Sequence, residues 1–212
     1  MKKKLIAEFL GTYFLVFAGT GAIIINDITK SLTHVGIALT FGLVVMALIY
    51  TFGHLSGAHF NPAVTIGFFI CKNIQLREMF YYIVCQIVAG LAASGTLFLL
   101  FGNVADLGAT IPRGSWSQSF LLEFILTFFL MMVILGSAVH GKAIKSFAGI
   151  AIGATVGLEA MFAGPICGAS MNPARSIGPA IISGALQYLW IYVFATVLGA
   201  MVAAYTYKFI HE

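Results

Sequence analysis

The sequence predicts an all-α membrane protein: six transmembrane helices plus two re-entrant half-helices in an inverted repeat. Three observations carry this. Of 212 residues, 60% are hydrophobic and 8% charged, whereas about a quarter are charged in soluble domains. Apolar stretches long enough to span a bilayer recur at about 5–25, 35–53, 79–101, 118–140, 146–164 and 186–209. A short box occurs twice, 111 residues apart: His59-Phe60-Asn61-Pro62-Ala63-Val64-Thr65 and Ser170-Met171-Asn172-Pro173-Ala174-Arg175-Ser176.

In chain order, Lys2, Lys3 and Lys4 precede the first span. They could open a signal peptide, but Glu8 lies inside the following stretch and the apolar run continues past Ile25. It is read as a retained span. The second span leads into Gly53-His54-Leu55-Ser56-Gly57-Ala58-His59, too Gly-rich to be helical throughout. Asn61 then suits a helix N-cap and Pro62 the first helical position, where its missing N–H costs nothing. The short apolar run from Ala63 to Cys71 rises roughly 15 Å, about half of a ~30 Å hydrocarbon core. A half-helix starting near the midplane is expected.

After the third span, the longest polar connection, 102–117, joins two halves at about 1–101 and 118–212 of a single domain, 1–212. The second half repeats the first. Glu8-Phe9 matches Glu123-Phe124, Gly36-Ile37-Ala38 matches Gly149-Ile150-Ala151, and Gly53, Gly57 and Ala58 match Gly164, Gly168 and Ala169. Gly164 to Ser170 forms the second descending stretch, and Asn172 and Pro173 begin the second half-helix, Ala174 to Ile182. Each half has three full spans, an odd number, so the second copy lies upside down. Lys2, Lys3, Lys4, Lys72, Arg77, Lys142, Lys145 and Lys208 fall on the side of the termini, against Lys30 and Arg113 on the other. That bias makes both termini cytoplasmic.

Such repeats place their site at the midplane, with broken helices aimed at it. Non-helical backbone there needs protein or water around it. Carbonyls along Gly57, Ala58, His59, Gly168 and Ser170 therefore read as the wall of a water-filled path. Its central constriction is assigned to Asn61, Pro62, Ala63, Asn172, Pro173 and Ala174. With the Asn oxygens used as caps, their NH₂ groups are expected free to face the lumen as donors. Two helix N-termini, each carrying about +0.5 charge, would oppose cations. A water held by both donors would break a proton wire.

At these residues the chain resembles the aquaporins, the major intrinsic protein family, over essentially its full length. The resemblance implies an hourglass pore in every subunit, a homotetramer in a cell membrane, and water and small neutral solutes as what crosses the bilayer. It also implies a selectivity filter of four positions: Phe41, Ala160, Ala169 and Arg175. An Arg inside a membrane is costly and marks a wet site. Strict water channels resemble one another in having His where this chain has Ala160. Two alanines widen the constriction. The stretch from Phe162-Ala163-Gly164-Pro165 to Gly168-Ala169-Ser170-Met171-Asn172 is similar to plant nodulin-like intrinsic proteins, which pass glycerol, so glycerol permeation is expected beside water.

By the same resemblance, Glu8 and Glu123 accept bonds from the re-entrant backbone. His54 and His59 flank the first loop and are read as braces, because no Cys or carboxylate completes a metal set with them. Glu159 adjoins Ala160 and is left between a lumen-edge group, a satisfied structural carboxylate and a subunit contact. Cys167 is a candidate for mercurial block. No metal, cofactor or nucleic-acid partner is expected, and no nucleophile–base set or cross-membrane carboxylate pair supports an enzyme. A strict water channel and an inverted-repeat secondary transporter are the alternatives; the latter normally carries an ionisable coupling site at its centre.

Overall fold

A computed structural model of the protein describes residues 1–211. In hydrocarbon each backbone N–H and C=O must be bonded within its own segment, so the apolar runs close into long helices. Six are long and apolar enough to span: α1 (Lys2–Thr29), α2 (Thr33–Ser56), α4 (Leu76–Phe101), α5 (Trp116–Ile134), α6 (Ala148–Cys167) and α8 (Leu189–His211). Two short helices, α3 (Pro62–Ile70) and α7 (Pro173–Ser183), follow α2 and α6. Among the described residues there is no strand.

The half-helices of 9 and 11 residues extend about 14 and 16 Å. Each is about half the length a ~30 Å hydrocarbon core requires, as the sequence predicts. The descending stretches are shorter than read from it. Gly53 to Ser56 remain the last turn of α2, and Gly164 to Cys167 the last turn of α6. A helical glycine costs about 1 kcal/mol, less than an unpaired backbone group in hydrocarbon. The helix therefore persists until Gly57 and Gly168, whose left-handed φ of 89° and 88° ends it with an N–H bond back to Gly53 and Gly164.

Packing interleaves the halves. Spans α2 and α6 cross each other, α5 packs on α8 and α1 on α4, while half-helix α7 lies on α4 and half-helix α3 on α8. Each short helix is thus seated against the last span of the opposite half. Small residues permit these approaches. A Cβ added at Gly42 would stand 2.7 Å from Gly153 O, and one at Gly90 2.6 Å from Ala174 O.

The connection 102–117 is more than a tether. It turns inward through a tight left-handed turn, Ala105–Gly108, with φ of 50°, 47°, 54° and 73°, and buries Leu107 against Ile24 and Leu97. The Arg113 N–H donates to Ile166 O at 2.9 Å, and the Thr110 and Ser176 hydroxyls pair at 2.8 Å. Its hydrophilic composition conceals one buried leucine and a set of backbone bonds.

Gly42→Leu is expected to force α2 and α6 apart and lower the melting temperature of the purified protein, by about 1–3 kcal/mol of overpacking. Gly95→Leu, whose Cβ meets nothing within 4 Å, should leave it unchanged or raised. Equal melting temperatures for the two variants would contradict this account of the crossing.

Candidate functional site

The two half-helix starts are built alike. The Asn61 side-chain oxygen accepts from Ala63 N at 2.9 Å and Val64 N at 3.4 Å; that of Asn172 accepts from Ala174 N at 3.0 Å and Arg175 N at 3.4 Å. The amide nitrogens differ from the sequence expectation of two free donors. Asn61 Nδ2 donates to Met171 O at 2.7 Å and Asn172 Nδ2 to Phe60 O at 2.9 Å. A primary amide has two hydrogens. One ties each half-helix to the opposite loop, and the other remains for the cavity that both side chains line. The carbonyls of Phe60 and Met171 need a donor at this depth, and no side-chain pattern announces them.

Both loops hang on a carboxylate from the first span of their own half. Glu8 accepts from Ser56 Oγ at 2.7 Å, His59 N at 2.9 Å, Phe60 N at 2.8 Å and Gln86 Nε2 at 2.8 Å. Glu123 accepts from Ser170 N at 2.8 Å and Met171 N at 2.9 Å. Both carboxylates are fully buried. To aim consecutive N–H groups at one carboxylate, the loops place Ala58, Phe60, Ala169 and Met171 at φ of 51°, 49°, 42° and 54°. That left-handed region is uncommon for residues with a Cβ. The carboxylate bonds offset the strain.

His59 braces its loop: Nδ1 lies 3.1 Å from Thr65 Oγ1 and the ring stacks on Phe68. The same role expected of His54 is corrected. It lies exposed on the last turn of α2 with no hydrogen bond to the loop. Ser56 and Gln86 do that work instead, and no sequence pattern singles out either. Cys167 is likewise corrected as a mercurial target. Its thiol is fully buried, donates to Ala163 O and accepts from Ala169 N at 3.4 Å, so it occupies the place that Ser56 holds in the first half.

Two cavities follow the axis between the halves. The inner one, about 90 Å³, runs toward the terminal side and is lined by Asn61, Asn172, Gly57, Ala58, His59 and Ser170, with Val45, Ile152, Val156 and Leu130 as an apolar wall. The outer one, about 250 Å³, opens away from the termini past His34, Ala109, Ile111 and Gly168. Four residues border both: Phe41, Ala160, Ala169 and Arg175. These are the four positions the family resemblance implies. Pro62, Ala63, Pro173 and Ala174 do not line either cavity and are buried in the first helical turns. Their place in the constriction is corrected to one behind it, because the cap turns only the Asn side chain toward the axis.

Arg175 is fixed at the narrowing. Its Nη1 donates to Gly108 O at 2.8 Å, and its guanidinium sits 5.2 Å from the Phe41 ring centroid. The inter-half connection thus supplies one anchor of the arginine. Glu159 faces neither cavity and is buried, so it is no lumen-edge group. Among the described residues no cluster of three metal-ligating side chains occurs.

A bundle of six helices long enough to span a membrane, with two capped half-helices meeting beside two adjoining cavities, has the architecture of a channel. Residues 1–207 match the family described as Major intrinsic protein. Nodulin-26 of Glycine max is 48% identical over 210 residues, covering 98% of this chain and 78% of that protein. Aquaporin NIP1-1 of Oryza sativa subsp. japonica is also 48% identical over 210 residues, with 98% and 74% covered. The X-ray structure of the aquaglyceroporin from Plasmodium falciparum superposes with a TM-score of 0.85 at 27% identity, over 97% of this chain and 95% of that one. The chain belongs to the major intrinsic protein family.

Glu8→Ala removes the acceptor of four donors and Glu123→Ala that of two backbone N–H groups, at about 1–3 kcal/mol per stranded donor. Both should lower the thermal stability of the solubilised protein, Glu8→Ala by more. The reverse order would contradict the bonding described.

Proposed function

We propose that this chain conducts water and small uncharged solutes such as glycerol passively, through a pore within each subunit, and excludes ions and protons. The observation that carries this is the narrowing shared by the two cavities at Phe41, Ala160, Ala169 and Arg175. Two alanines leave half of its wall small and apolar, Phe41 offers a face for a carbon backbone, and Arg175 offers donors to a hydroxyl. A triol presents one apolar edge and one polar edge, which that arrangement fits. The guanidinium and the two half-helix N-termini, each about +0.5 in charge, oppose cations along the same axis.

A strict water channel fits less well, because Ala160 and Ala169 provide no bulk to reject a three-carbon solute. A coupled transporter fits less well again. Among the described residues neither cavity is lined by a carboxylate, so the path offers no acidic site for a driving ion. The whole chain is taken as one transport unit, its halves 1–101 and 118–212 joined by 102–117. Both termini are placed in the cytoplasm of a cell membrane on the basic-residue bias. Four copies are proposed to assemble, each keeping its own path.

Stopped-flow light scattering on proteoliposomes tests the reading: both water and glycerol should cross faster than in protein-free liposomes. Ala160→His should reduce glycerol permeability about tenfold or more, equivalent to about 1.4 kcal/mol at the barrier, while sparing water. Glycerol flux no greater than in empty liposomes removes the solute half of the proposal.

A further inference from the structure

Seven buried side-chain polar atoms lack a partner among the described residues, and five of them belong to four residues surrounding Glu123. They are both carboxylate oxygens of Glu159, Ser119 Oγ, Tyr192 Oη and Arg175 Nε. Glu159, Tyr192 and Arg175 are all within electrostatic reach of the Glu123 carboxylate. Ser119 lies one turn before Glu123 on the same face of α5. Glu159 is 2% exposed and Ser119 and Tyr192 are fully buried. Orphaned polar atoms are therefore concentrated at one place in the fold.

The opposite half shows what such a place looks like when protein alone satisfies it. There Glu8 takes the Ser56 hydroxyl and the Gln86 amide besides two backbone N–H groups, and Tyr82 Oη donates to Ser56 O at 2.8 Å. In the second half the corresponding positions are Cys167, Thr196 and Tyr192. A thiol is a weak donor, and the Thr196 hydroxyl turns back to Tyr192 O at 2.7 Å. Two replacements, Cys167 for the Ser56 hydroxyl and Thr196 for the Gln86 amide, leave Glu123 one weak thiol contact in place of two strong side-chain bonds, while Glu159 adds a second carboxylate with no counterpart in the first half. A carboxylate in a membrane interior is tolerated only with partners. The small molecule that bridges several buried donors and acceptors at once is water, with about three bonds each.

We propose that Glu123 and Glu159 hold a small cluster of bound water in a closed site behind the narrowing, separate from the conducted column. Glu159 is through it a positioning residue for the loop that carries Ala169 to Arg175. Water accepts from Ser119 and Tyr192 or donates to their oxygens, and donates to both carboxylates. Glu123 in turn fixes Ser170 and Met171, so the cluster braces the strained backbone next to the arginine. The site concerns the support of the narrowing and holds whichever solute passes.

A crystal structure of the full chain at a resolution that shows ordered water tests this directly. Water within hydrogen-bond distance of a Glu159 carboxylate oxygen and of Tyr192 or Ser119 is the expected result. Glu159 bonded only to protein groups, with no water between it and Glu123, overturns the proposal. For positioning, Glu159→Gln keeps an acceptor oxygen for the water at the same place and should keep the ratio of glycerol to water permeability. Glu159→Leu should change that ratio by about threefold to tenfold, the worth of one hydrogen bond. A wild-type ratio in Glu159→Leu, or equal changes in both variants, removes the positioning role. Should Glu159→Leu fail to fold, the wild-type water density decides.

Discussion

A chain turned back halfway through a membrane leaves backbone N–H and C=O groups where there is no lipid-side partner for them. Everything distinctive in this molecule answers that constraint. Glu8 and Glu123 reach from the first span of each half to collect the N–H groups of the turned loop. Asn61 and Asn172 cap their own half-helices with oxygen and bond the opposite loop with nitrogen. The reciprocal Asn bonds make the two halves interdependent, because neither loop is completely satisfied without the other. Both turned loops border the cavities between the halves through Gly57, Ala58, His59, Gly168 and Ser170.

Selectivity depends on how this support is laid out. The loop that Glu123 holds presents Ala169 and leads into α7, which carries Arg175, so on the proposed reading the carboxylate positions the narrowing as well as supporting the fold. Gly108 from the connection between the halves fixes the guanidinium at 2.8 Å, and Phe41 from α2 stands opposite. Width is then left to Ala160 and Ala169, the two smallest contributors. On the proposed reading, charge rejection and solute size are handled by different residues on different elements, which allows one to vary while the other is kept.

Much of this is legible in the sequence, and the unread part has physical causes. The six spans, both half-helices and the inverted repeat are set by hydrophobic length and the doubled Asn-Pro-Ala, because bilayer thickness and N-cap chemistry act locally. The pairing of Glu8 and Glu123 with the loops is likewise readable from the family resemblance. The continuation of α2 and α6 past Gly53 and Gly164 to ends at Gly57 and Gly168 is not, since glycine is a weak breaker where no water competes for the backbone. The cross-bonds from Asn61 and Asn172 escape a sequence reading because their acceptors are main-chain carbonyls. Nearness along the chain suggests a bracing role for His54, while Gln86, which performs it, lies on another span. Leu107 and Gly108 are hidden in a segment whose average composition is polar.

The central claim is that two half-helix N-termini and the free amide hydrogens of Asn61 and Asn172 let water through while interrupting proton transfer. It is tested most directly by measuring osmotic water flux and the decay of an imposed pH gradient on the same proteoliposomes. The account predicts rapid osmotic equilibration with a pH gradient that decays no faster than in protein-free liposomes. A gradient that collapses in proportion to the amount of protein inserted would contradict it.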